Sequence, residues 1–195
     1  CAKAGDHVIV TDKIFVVSRS FFLDECPAMG IEVSFVDMLD LDKVRDAIQP
    51  NTKALFAETI TNPQMCVVDL TGLKKIASDN HLSFIVDNTY LGPYLLQPIE
   101  FGADLILDSA TKYLSGHGDA VGGVLCGSQK LMSEARATMS SFGQCISPFN
   151  AWLILRGIRT LPLRMRQHSK NALALAKMLK NNDKVDWVLY AGTPE

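Results

Sequence analysis

Long apolar runs are missing from this 195-residue chain: none reaches the roughly 18 consecutive residues a membrane-spanning helix requires. A charged segment leading into an apolar stretch is also missing at Cys1-Ala-Lys-Ala-Gly-Asp6, so no secretory leader is expected and the reading is cytoplasmic. Cysteines are scattered, at positions 1, 26, 66, 126 and 145, with no C-x-x-C pair. That spacing points to neither a disulfide framework nor a zinc site, and the thiols are expected to be reduced packing residues. Basic segments are absent too, because 19 Lys and Arg are interspersed with 21 Asp and Glu, for a net charge of −2. Neither nucleic acid nor a membrane is therefore expected as a partner. No internal repeat or low-complexity tract interrupts the chain.

What is present is an α/β pattern: short apolar runs alternate with helical spacings, which predicts a mainly parallel, mixed sheet flanked by helices. Strands are expected over 7–10, 31–36, 53–58, 83–87, 103–108 and 121–127. Helices are expected over 41–48 and 70–80, where Leu70, Leu73, Ile76 and Ala77 share one face. A short helical piece falls between 93 and 101, and beyond Ser128 the chain turns helical. Trp152 and Leu153–Leu155 are read as core on one helix, Ala172, Leu175, Ala176 and Leu179 as the stripe of another. Val185–Tyr190 is read as a new strand.

Polar residues gather where apolar strands stop. In an open parallel sheet, ligands bind outside the carboxyl ends of the strands. Three endings are aimed there: Glu58 with Asn62, Asp87 with Asn88, and Ser109 with Thr111 and Lys112. Together they supply carboxylates, amides, hydroxyls and an amine, an inventory suited to a charged aromatic cofactor. Pyridoxal 5'-phosphate (PLP) needs an amine to condense with its aldehyde, an acid to keep its ring nitrogen protonated, and donors for its phosphate. Lys112, Asp87, and Ser109 with Thr111 fit these needs in turn. Each also has a plainer reading. An Asp after a strand is often a turn residue, and a lysine is often a solvated amine. His117 in Gly116-His-Gly-Asp119 could suggest a metal or a general base, but one His beside one Asp reads better as a glycine-rich structural loop.

Whole strings decide between those readings. Glu58-Thr-Ile-Thr-Asn-Pro63, Val86-Asp-Asn-Thr-Tyr90, Ser109-Ala-Thr-Lys-Tyr-Leu-Ser-Gly-His-Gly-Asp119 and Leu161-Pro-Leu-Arg-Met165 resemble, in order, the Cys/Met-metabolism (transsulfuration) family of fold-type I PLP enzymes. That family includes cystathionine γ-synthase, the cystathionine β- and γ-lyases, methionine γ-lyase and the O-acylhomoserine sulfhydrylases. The resemblance implies Lys112 as the lysine holding the cofactor and shuttling protons, and Asp87 as partner of the ring nitrogen. It implies Ser109 and Thr111 as phosphate ligands, Asn62 beside the phenolic oxygen, Phe15 as the stacking aromatic and Glu58 as support behind them. It also implies a homo-oligomer, a dimer of dimers, acting on an amino-acid substrate.

Two departures qualify the expected chemistry. Phe15-Val-Val-Ser18 stands where the family carries a tyrosine followed by Gly-Gly-Thr or Gly-Cys-Thr, so a phenol is absent and a standard methionine γ-lyase is disfavoured. Family members also resemble chains about twice this length, so the sequence is expected to be a segment of a longer one. Residues 1–160 are read as the PLP-binding large domain, lacking its N-terminal part. Residues 161–195 are read as a connecting helix and the start of a small α+β domain. The implied reaction is γ-elimination or γ-replacement on cystathionine, methionine or an O-acylhomoserine. The alternatives are a sulfhydrylase or β-acting C–S lyase of the same family, and a weakly catalytic PLP-binding paralogue with a structural or regulatory role.

Overall fold

The computed structural model describes residues 1–193. Its strands are β1 (His7–Thr11), β2 (Glu32–Val36), β3 (Thr52–Glu58), β4 (Ser83–Asp87), β5 (Leu105–Ser109) and β6 (Gly123–Gly127). They form one sheet in the order β2-β1-β3-β4-β5-β6. All neighbours are parallel except β5 and β6, which run antiparallel. The expected mixed, mainly parallel sheet is therefore present.

Central strands are apolar throughout because both faces are covered. On one face Ile9, Leu55, Phe84, Val86 and Ile106 pack with Leu73 and Ile76. The opposite face holds Val8, Val10, Ala54 and Phe56, with Ile85 and Leu107 against them. Short helices α1 (Val16–Ser20) and α2 (Cys26–Ala28) lie between β1 and β2, and α3 (Leu41–Asp46) and α4 (Leu70–Asp79) begin where acids satisfy the first free amides. Asp40 accepts from the Asp42 N–H at 3.1 Å, and Asp69 accepts from the Gly72 N–H at 2.9 Å. Helix α4 then buries Leu70, Leu73, Ile76 and Ala77 on the expected face.

The short α5 (Gly92–Leu95) follows β4, and beyond the sheet lie α6 (Gln129–Phe142), α7 (Pro148–Ile158) and α8 (Leu161–Lys180). A separate cluster joins Ile154, Leu161 and Met165 of α7 and α8 to Ala110, Leu114 and Ala120. The loop that carries Lys112 is thus backed by two helices.

Three expectations need correction. Val185–Tyr190 forms no strand: among the described residues it pairs with no sheet edge, and Trp187 is exposed. Trp152 and Leu155 are exposed rather than core, because only the Ile154 side of α7 meets the Lys112 loop. Of the five free cysteines only Cys26 is fully buried, while Cys1, Cys126 and Cys145 are exposed. Of the segment read as 161–195, the last two residues lie outside the described ones.

At the amino end of the sheet, His7 ties three strands together. Its buried ring contacts Thr52 Oγ1 through Nδ1 at 2.8 Å and Ser34 Oγ through Nε2 at 2.9 Å. Burial lowers the His7 pKa, against the raising effect of Glu32. The unfolded chain consequently takes up the proton first as pH falls below about 6.5, and the stability His7 contributes is lost in that direction. His7→Leu should cost about 2 kcal/mol near pH 7.5, by stranding two hydroxyls, and the deficit should shrink near pH 5.5. Urea unfolding of both proteins at the two pH values measures this; a deficit that stays constant with pH would contradict it.

Candidate active site at the carboxyl edge of the sheet

The chain leaves β1 toward β2 on one side and then crosses back to β3, so a crevice opens where the direction of winding changes. A cavity of about 480 Å³ lies at the carboxyl ends of the strands. Phe15 enters it just after β1, Glu58 and Asn62 from the end of β3, Asp87 from the end of β4, and Ser109 and Lys112 from the end of β5. Six of the seven residues singled out in the sequence therefore line one space. Thr111 does not: its hydroxyl is committed to Gly122, accepting from the N–H at 3.1 Å and donating to the carbonyl at 3.3 Å. His117 stays outside as well. Its Nδ1 lies 2.6 Å from the Ser115 carbonyl, between Gly116 and Gly118 at φ +74° and +67°.

Hydrogen bonds fix the walls. Glu58 is buried, and its two oxygens accept from the main-chain N–H groups of Phe15 and Asn62, each at 3.0 Å. One carboxylate thereby pins the entry of two loops. Asp87 Oδ1 accepts from the Thr89 N–H at 2.9 Å, and the Thr89 hydroxyl accepts from the Ser109 N–H at 2.8 Å. Thr89 is a link that sequence reading missed, although its place two residues after a strand-ending Asp is a known turn pattern. The Lys112 N–H donates to the Ser109 carbonyl at 3.0 Å, while the Lys112 carbonyl accepts from the Gly116 N–H at 2.8 Å. These bonds make a tight turn with the Lys112 side chain exposed at the cavity.

The electrostatics are one-sided. Burial raises the pKa of Asp87, with Thr89 pulling it back. Glu58 is raised first by burial and further by the Asp87 charge, against its two main-chain donors. Asp108, which also lines the cavity, is pushed up to about 7, mainly by burial and then by Asp87. Its Oδ1 has no hydrogen-bond partner, and neither does the buried Oδ1 of Asn88. The β4–β5 register pairs Asp87 with Leu107, so Asn88 and Asp108 follow side by side and emerge on the same face. Asp108 ends the expected strand 103–108, but its place on the cavity depends on the neighbouring strand and is not visible in the sequence.

Three carboxyl groups thus surround a cavity into which only one cationic side chain, Lys112, enters among the described residues. No cluster of three or more His, Cys, Asp or Glu among those residues could hold a metal. The space suits a flat, apolar-faced guest that brings its own positive charge: Phe15, Ile60, Leu107 and Val124 give apolar walls, Asp87 a half-buried acid, Ser109 a hydroxyl and Lys112 an amine. The residues present fit pyridoxal phosphate.

Comparison with known proteins agrees. Residues 1–195 match the family described as Cys/Met metabolism PLP-dependent enzyme. A canavanine gamma-lyase of Rhizobium leguminosarum is 43% identical over 192 residues, covering 97% of this chain and 48% of that protein. A cystathionine gamma-lyase of Bacillus subtilis is 42% identical over 192 residues, covering 98% and 51%. The crystal structure of cystathionine gamma-lyase from Lactobacillus plantarum complexed with L-serine gives a TM-score of 0.94 at 35% identity. That comparison covers 99% of this chain and 51% of the other. The chain spans about half the length of these relatives. Matched from first residue to last and sharing that fold, the chain belongs to the Cys/Met-metabolism family of PLP-dependent enzymes.

Proposed function

We propose that this chain carries the cofactor site of a cytoplasmic enzyme catalysing γ-elimination or γ-replacement on cystathionine, methionine or an O-acylhomoserine. Residues 1–160 form its PLP-binding domain, and 161–195 the connecting helix and the beginning of a smaller domain. The observation that carries this reading is the convergence of Lys112, Asp87 and Ser109 on one cavity at the carboxyl edge of the sheet. Five free thiols suit a reducing compartment. The exposed Phe149, Trp152 and Leu155 of α7 suit burial between copies in a homo-oligomer, a dimer of dimers.

When bound, pyridoxal phosphate supplies an aldehyde for the substrate amine and a ring that withdraws electrons from the α-carbon. Lys112 Nζ would hold that aldehyde at rest and, once released by the incoming amine, take the α-proton and return it further along the chain. Asp87 would keep the ring nitrogen protonated, giving its half-buried carboxylate a positive partner. Ser109 offers its hydroxyl to the phosphate, with Thr111 holding the Gly122 backbone behind it. Phe15 gives the ring an apolar face, and Asn62 an amide for the phenolic oxygen. Glu58 keeps both in place through their main-chain N–H groups.

Phe15 brings no hydroxyl to move protons near the leaving group. The same feature favours, as a second reading, a paralogue that binds the cofactor and turns over slowly. A sulfhydrylase or β-acting C–S lyase would use the same cofactor residues with a different acceptor. Assaying the complete protein for oxo acid, thiol and ammonia from cystathionine, methionine, O-acetylhomoserine and canavanine separates these readings.

Lys112→Ala should abolish the visible absorbance of bound cofactor and lower turnover by at least about a thousandfold. Visible spectra and steady-state assays check this, and sustained multiple turnover in the variant would contradict the assignment. Asp108 gives a separate test. Its folded pKa of about 7 lies above the ordinary carboxylate range. The unfolded chain therefore loses this proton first, and stability falls as pH climbs from about 4 to about 7. Asp108→Asn should raise the stability of the cofactor-free protein by about 2 kcal/mol near pH 8 and by little near pH 4. Denaturant unfolding across that range would contradict this if the variant's gain were the same at both ends.

A further inference from the structure

The string Leu161–Met165 resembles its family counterpart but has no part in the chemistry above, and one of its residues reaches the Lys112 turn. Arg164, half-buried in the first turn of α8, spreads its guanidinium over three acceptors. Nη1 donates to the Tyr113 carbonyl at 2.8 Å, Nη2 to the Gly157 carbonyl at 2.8 Å, and Nε to Thr160 Oγ1 at 3.1 Å. Tyr113 is the residue immediately after Lys112. Gly157 lies in the last turn of α7, where a cation also meets the negative end of the helix. Among the described residues no carboxylate pairs with Arg164, so the whole fork is spent on backbone and one hydroxyl.

Two glycines make room for this clamp. A side chain at Gly116, whose φ is +74°, would run into the Arg164 guanidinium, and one at Gly157 would run into the Ser115 carbonyl. The turn 113–116 is thus pressed between Arg164 and the end of α7, and four residues along α8 the His168 ring meets the Tyr113 ring edge-on at 5.6 Å. Lysine could not replace the fork, because a single ammonium on a flexible stem does not address three fixed acceptors in different directions at once.

We propose that Arg164 is a positioning residue for Lys112, fixing the backbone just after the lysine so that its amine stands at one place in the cavity. This rests on the assignment of Lys112 given above. A misplaced lysine impairs proton transfer more than substrate capture, so the effect falls on kcat rather than on KM.

The test compares Arg164→Lys and Arg164→Met with Lys112→Ala in the complete protein. In the cofactor-free form, hydrogen exchange at the 113–116 amides should become about tenfold faster in both Arg164 variants, with the sheet amides unchanged. After reconstitution with pyridoxal phosphate, kcat should fall about tenfold to a hundredfold with KM held within about threefold. Unchanged exchange and kcat in Arg164→Lys would overturn the proposal. So would loss of far-UV circular dichroism in both variants, since Arg164 would then be a general prop of the fold. If Lys112→Ala keeps its bound cofactor while Arg164→Lys loosens the turn, the fault lies with the assignment of Lys112. If Lys112→Ala loses it while Arg164→Lys changes nothing, the fault lies with Arg164.

Discussion

Drawing the half-buried Asp87 carboxylate partly out of water at the end of a central strand costs free energy that its one hydrogen-bonded neighbour, Thr89, offsets only in part. An acid so placed is easier to ionise beside a cation than alone. Glu58 and Asp108 are driven the same way, each made harder to ionise by Asp87 itself. The arrangement is poor as a freestanding core and apt as one side of a complex with a protonated aromatic ring. At the carboxyl edge of the sheet, then, three neighbouring acids resist ionisation together.

The rest of the fold holds that edge still. Parallel strands covered on both faces deliver Glu58, Asp87 and Ser109 at neighbouring ends, and the registers of β3 with β4 and of β4 with β5 fix their order. Thr89 then joins the acid to the strand that leads to the lysine, and Glu58 joins the loops after β1 and β3. The turn carrying Lys112 is closed by its own backbone bonds and backed by α7 and α8. Rigid elements at each corner of the cavity are what a reaction dependent on orientation needs.

Much of this was legible before any coordinates. The run Ser83–Asp87 is apolar to its last residue and stops on a carboxylate, and the strand has those same bounds. The spacing of Leu70, Leu73, Ile76 and Ala77 picked out the buried face of α4. Less was legible where the answer depended on a neighbour. Val185–Tyr190 has strand-forming residues, but a strand needs an edge to pair with, and none is within its own sequence. Trp152 is apolar on an apolar helix, yet which side of α7 faces inward is set by the Lys112 loop some 40 residues earlier in the sequence. The Thr111 hydroxyl meets Gly122 across the turn, a contact that the sequence does not reveal. Asp108 and Arg164 were hidden for the same reason: one draws its character from Asp87 and burial, the other from carbonyls in two distant segments.

In the proposed function one amine, on Lys112, holds the vitamin-derived cofactor while Asp87 faces its ring. Borohydride reduction of the reconstituted complete protein fixes the cofactor to whichever lysine holds it, and peptide mass mapping then reads the position directly. The expected result is a single phosphopyridoxyl group on Lys112, with the label kept and the long-wavelength shift of the bound chromophore lost in Asp87→Ala. A label on another lysine, or no label despite bound cofactor, would contradict it.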